Sequence, residues 1–106
     1  MAKYLFHASY TEEGLKGLLK EGGSSRREAV VKALKGLGGT LEAFYYAFGD
    51  TDLFGIADLP DNVSTIAFTL IINAAGMAKV KTTVLITPEE VDQATKKSIE
   101  YRPPGR

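Results

Sequence analysis

The stretch Tyr45-Tyr46-Ala47-Phe48-Gly49-Asp50-Thr51-Asp52-Leu53-Phe54-Gly55-Ile56-Ala57-Asp58-Leu59-Pro60-Asp61 decides the fold of this chain. Two apolar, aromatic-rich runs flank the polar turn Gly49-Asp50-Thr51-Asp52, the local pattern of an antiparallel hairpin. In-register pairing about that turn divides the side chains between two faces. Phe44, Tyr46, Phe48, Leu53, Gly55, Ala57 and Leu59 form an almost wholly apolar set, expected to pack on helices. Leu41, Ala43, Tyr45, Ala47, Asp52, Phe54, Ile56 and Asp58 form the other set, apolar in the middle and acidic at its ends.

Upstream, Lys3 to Tyr10 reads as a first strand, with Tyr4, Phe6, Ala8 and Tyr10 on one side and Leu5, His7 and Ser9 on the other. Thr11-Glu12-Glu13 opens a helix, the threonine as N-cap and the acids where the helix dipole favours them. Gly22-Gly23 interrupts that helix. Ser25 and Glu28 have capping-box spacing for a restart, and Gly38-Gly39 stops the second piece. The hairpin strands then span Thr40 to Phe48 and Asp52 to Leu59.

Downstream, Asp61 caps a helix from Asn62 to about Ala75 that Gly76 closes. A β-branched strand follows over Ala78 to Thr87, and Thr87-Pro88-Glu89-Glu90 starts a short polar helix reaching about Ser98. The order β-α-β-β-α-β predicts an α+β, ferredoxin-like fold: an antiparallel four-stranded sheet, a broken first helix and a short C-terminal helix. Residues 1–99 are expected to form one domain and residues 100–106 a flexible tail.

At 106 residues the chain suffices for one hydrophobic core. The 13 basic and 13 acidic side chains cancel, so the cationic excess that drives non-specific nucleic-acid binding is missing, and no nucleic-acid partner is expected. Without cysteine there is neither a disulfide framework nor a thiolate metal site. A zinc site would have to combine the one histidine, His7, with carboxylates or a second subunit; no metal and no cofactor are assigned. The N-terminus MAKYLFHASY has the pattern of neither a secretory signal nor a transit peptide. The apolar run Val63 to Met77 falls short of the ~20 residues that span a bilayer and carries Ser64, Thr65, Thr69 and Asn73. A soluble, cytoplasmic protein without a membrane partner is the expectation.

Two helices cover only one face of a four-stranded sheet. The other face, with Leu5, Tyr45, Phe54 and Ile56, would leave a larger apolar patch than soluble monomers display. At roughly 25 cal/mol per Å², covering these side chains is worth several kcal/mol. A second copy is the simplest cover, and a homodimer, or a higher homo-oligomer formed through the sheet face, is expected.

The order and spacing of several short motifs resemble the GYD-domain family. They are Ser25-Arg26-x-Glu28-Ala29, the Gly38-Gly39 stop, the Gly49-Asp50-Thr51-Asp52 turn, Asp58-x-Pro60-Asp61, and Lys81-Thr82 on the last strand. The similarity covers most of residues 3 to 95, and departs where Thr51 stands in place of the signature tyrosine. The resemblance implies a dimeric α/β barrel built from ferredoxin-like halves. It implies no particular activity.

The candidate site residues come from the sheet and from the helix break. His7 is the side chain suited to proton transfer near neutrality, and the pairing places it on the face of Tyr45, Phe54 and Asp52. His7, Tyr45 and Asp52 are the catalytic candidates; the bland alternative is a strand histidine without a role. Asp50 and Asp52 equally suit backbone hydrogen bonds in the turn, and Asp58 and Asp61 strand-end and cap positions. Gly22-Gly23-Ser24-Ser25-Arg26-Arg27 resembles an anion-binding turn but equally a helix break bearing a solvated basic pair. His7, Tyr45, Phe54 and Arg26 are the ligand-binding candidates. The leading functional expectation is a homodimeric small-molecule-binding or sensing module with an apolar cleft for a small apolar or aromatic ligand. The alternatives are a cofactor-independent enzyme of the monooxygenase or isomerase kind, and a structural oligomer with no ligand.

Overall fold

The computed structural model describes residues Met1–Arg106 and contains four strands and four helices. In chain order these are β1 (Ala2–Tyr10), α1 (Glu12–Glu21), α2 (Gly23–Gly36), β2 (Thr40–Tyr46), β3 (Leu53–Leu59), α3 (Asn62–Ala75), β4 (Ala78–Leu85) and α4 (Pro88–Ala94). The sheet order is β2-β3-β1-β4 with every neighbouring pair antiparallel, the ferredoxin-like arrangement.

The start signals read from the sequence act as expected. Thr11, Asp61 and Thr87 cap α1, α3 and α4 by accepting from the N–H groups of Gly14, Ser64 and Glu90, and Glu90 completes a capping box with Thr87. The bond from Ser64 holds the Asp61 carboxyl below its ordinary value. One expectation fails. Ser25 and Glu28 do not cap the second helix, because α2 already begins at Gly23 and has no side-chain cap. Ser25 Oγ instead donates to Glu21 Oε1 at 3.1 Å, across the Gly22 break.

Tyr4, Phe6 and Ala8 of β1, Ala57 and Leu59 of β3, and Val80 of β4 form the buried side of the sheet. Leu34 of α2 and Phe68 of α3 pack onto them, with the Phe6 and Phe68 rings edge to face at 5.0 Å. Polar pairs fasten α3 to β4 at the sheet edge. Thr69 and Thr82 share a hydrogen bond of 2.7 Å, and Asn73 Oδ1 accepts from the Val80 N–H at 2.8 Å. At the N-terminus of α1, the Thr11 N–H donates to the Met77 carbonyl at 3.0 Å. Gly14 permits this approach, since a Cβ there would collide with that carbonyl.

The division of faces is corrected at β2. The register shifts between Leu41 and Ala43, so Glu42 is an extra residue on that strand. The bulge returns Leu41 to the helix side opposite Ala57, whereas strict alternation about the turn assigns it to the outer face. Glu42 and Asp58 both accept from Lys3 Nζ, at 3.2 and 3.0 Å, tying β2, β3 and β1 together at one end of the outer face. Those bonds, Asp58 first, raise the Lys3 pKa. Phe48 also departs from expectation: β2 ends at Tyr46, and the Phe48 side chain is fully exposed beyond it.

The C-terminal segment stands away from the body. β4 ends at Leu85 rather than Thr87, and α4 at Ala94 rather than near Ser98, where turn bonds from Lys96 and Lys97 succeed it. Every residue of α4 is exposed and the helix makes no extensive contact with another element. The radius of gyration is accordingly 17.2 Å, against about 13 Å for a compact chain of this length.

Candidate ligand-binding site

The candidates do not share one site: His7, Tyr45 and Phe54 lie on the outer side of the sheet, and Arg26 lies on the helix side. On the outer side the register aligns Tyr45, Phe54, His7 and Lys81 in one row across all four strands. The His7 ring stacks on Phe54 with centroids 6.2 Å apart and planes 17° from parallel, and makes no hydrogen bond with another protein group. Ala43, Ile56, Leu5 and Thr83 make the adjoining row. Tyr45 is 71% exposed and Phe54 41%.

Asp52 has a structural task. Its carboxylate accepts from the Tyr10 N–H at 2.8 Å, and its own N–H donates to the Ala8 carbonyl at 2.9 Å, so the turn is sewn to the end of β1. Neither His7 nor Asp52 lines the cavity or the cleft described below. No group of three or more His, Asp or Glu side chains gathers in a metal-binding arrangement.

Arg26 lies on the other side of the sheet. α2 and α3 both pack toward the strands without extensive contact between them, and an apolar cavity of about 80 Å³ occupies the gap. Its floor includes Phe6, Ala8, Leu53, Gly55 and Val80, and its roof Val30 and Leu34 of α2 with Phe68 and Ile72 of α3. The bulge at Glu42 brings Leu41 into its wall, and Gly55 leaves part of its floor empty. Arg26 is the one charged residue in that lining.

A wider cleft of about 430 Å³ adjoins the cavity between α1 and α3, and the two share Tyr10, Arg26, Ile72 and Ala78. Two of these four residues, Tyr10 and Arg26, bring polar groups to the mouth where the cavity and the cleft adjoin. Arg26 Nη1 stands 3.8 Å from Glu21 Oε1, an ion pair about one-third exposed on each side. Tyr46 lies against the start of α2, its hydroxyl donating to the Gly23 carbonyl at 3.1 Å. A Cβ on Gly23 would come within 2.9 Å of that ring, so the second glycine of the break makes room for the tyrosine. Burial, together with the neighbouring Tyr10 phenol, pushes the Tyr46 pKa up to about 12. Of the residues at this mouth the sequence had singled out Arg26; Tyr10 and Glu21 had no distinguishing local signal.

The class defined by this architecture is the ferredoxin-like α+β fold with an open antiparallel sheet. Within it, the GYD domain model matches residues 4–95, and the chain belongs to the GYD domain family. No curated protein matches the chain. No helix is long and apolar enough to cross a membrane.

Proposed function

We propose that this protein is a homodimeric small-molecule-binding module whose ligand enters the gap between α2, α3 and the sheet. The observation that carries the reading is the cavity itself, twelve of whose fourteen lining residues are hydrophobic. Interiors of domains normally close to crystal-like density, so an unfilled apolar space is costly unless something occupies it. Dry apolar cavities of roughly 150 Å³ hold a benzene molecule. The cavity alone is smaller, at about 80 Å³, and the adjoining cleft of about 430 Å³ supplies the remaining space. Calorimetric titration with toluene tests the reading: saturable binding near one molecule per chain supports it, and heats of dilution alone refute it.

The outer face supports the dimer. Its centre is a continuous apolar surface of Leu5, Ala43, Tyr45, Phe54 and Ile56 with His7 among them. Lys79 and Lys81 border it on β4, and Lys3, Glu42 and Asp58 at one end. An apolar centre within a charged rim is the anatomy of a protein interface. A second copy seated on this face would produce the barrel-like pairing that the family resemblance suggests. The enzyme alternative gains no specific support, since it needs His7, Tyr45 and Asp52 in one pocket.

A further inference from the structure

The cavity is apolar, yet one charged side chain stands where it adjoins the cleft, and that charge bears on the chemistry of the ligand. Arg26 lines both the cavity and the cleft, at the point where the two adjoin. Its guanidinium is held only by Glu21, at 3.8 Å, beyond hydrogen-bond distance. A partly exposed pair of this length contributes little and exchanges partners readily. Glu21 is itself committed elsewhere, accepting from Ser25 Oγ at 3.1 Å. The phenols of Tyr10 and Tyr46 neighbour one another beside Arg26, and Tyr46 stays protonated throughout the physiological range.

We propose that the ligand is a small carboxylic acid with an aromatic or branched aliphatic body, its body in the cavity and the adjoining cleft and its carboxylate on Arg26. This rests on the reading of the cavity as a binding site and adds the ligand's charge. Guanidinium and carboxylate match in planar, bidentate geometry, stronger than the loose contact Arg26 has with Glu21. Glu21 then acts as an internal competitor: it occupies the guanidinium in the free protein and yields it to the ligand. Glu13, also on the cleft wall, adds repulsion that a second negative charge on the ligand would increase. A monocarboxylate therefore fits better than a dicarboxylate or a phosphate.

The experiment compares 2-naphthoate with its neutral counterpart 2-naphthalenemethanol by NMR titration of the full-length chain. In the wild type, naphthoate binds about tenfold more tightly, the equivalent of about 1.4 kcal/mol. Arg26→Gln removes the preference, and an amide NMR spectrum matching that of the wild type outside the site demonstrates that the variant is folded. Glu21→Gln enlarges the preference. Equal binding of the two probes by the wild type, or an undiminished preference in Arg26→Gln, overturns the carboxylate assignment and leaves the binding site standing. Absence of binding by either probe overturns both.

Discussion

His7 stacks on Phe54 across the β1–β3 pair, 6.2 Å between ring centroids, at the middle of the sheet face that no helix covers. The imidazole there extends an apolar row with Tyr45 and has no carboxylate to orient it. Position and partner both suit an interface residue better than a base.

Phe54→Asp in the centre of this face should dissociate the proposed dimer, because a buried unpaired carboxylate at an interface costs several kcal/mol. Sedimentation equilibrium at micromolar concentration checks it. The expected outcome is a shift from dimer to monomer with an unchanged far-ultraviolet circular dichroism spectrum. A wild-type monomer at the same concentration contradicts the assembly.

Two glycines of α1 should respond in opposite directions to the same substitution. Gly14→Ala drives a methyl into the Met77 carbonyl and should destabilise the fold by about 1–3 kcal/mol. Gly17 faces open space, so Gly17→Ala should stabilise it by about 0.5–1 kcal/mol through helix propensity. Urea unfolding of the two variants measures both.

Tyr46 sets an alkaline limit. Its folded pKa, about 12, lies above the ordinary 10.0. The contribution of the neutral phenol is therefore complete below pH 10 and is lost as the pH rises through 12. NMR titration of the Tyr46 ring should place its midpoint near 12, and Tyr46→Phe should flatten the loss of stability across that interval. A ring midpoint at 10.0 would contradict the burial that raises it.

The C-terminal arm should be dispensable for the core. Truncation after Thr87 removes only residues that are exposed throughout. It should leave the free energy of unfolding within about 0.5 kcal/mol of the full chain. The scattering radius should fall toward about 13 Å in a monomeric variant.

Much of this architecture is legible in the sequence because local chemistry dictates it. Thr11, Asp61 and Thr87 cap helices by hydrogen bonds reaching only three residues along the chain. The Gly49-Asp50-Thr51-Asp52 turn and the alternation of β3 fix the hairpin and the face of Phe54. Strict alternation fails at Glu42, since a bulge stabilised by Lys3 from a distant strand leaves no mark in its own neighbourhood. The candidate site is less legible for the same reason. Arg26 was visible beside a helix break, but its convergence with Tyr10, Tyr46 and the cavity depends on how α2 and α3 settle over the sheet. His7 and Asp52 drew notice by residue type and by a shared predicted face, and their partners proved to be a ring and a backbone N–H.

Whether the gap beneath α2 and α3 takes a ligand is measured most directly at Gly55. A Cβ there meets nothing closer than the Ala43 carbonyl oxygen at 3.5 Å, so a larger side chain can enter the cavity without backbone strain. Methyl NMR of the wild type titrated with toluene should give saturable shifts at Leu34, Leu53 and Ile72. Gly55→Leu, which fills the space, should abolish them. Shifts that persist unchanged in Gly55→Leu, or that never appear in the wild type, would contradict a ligand site in this gap.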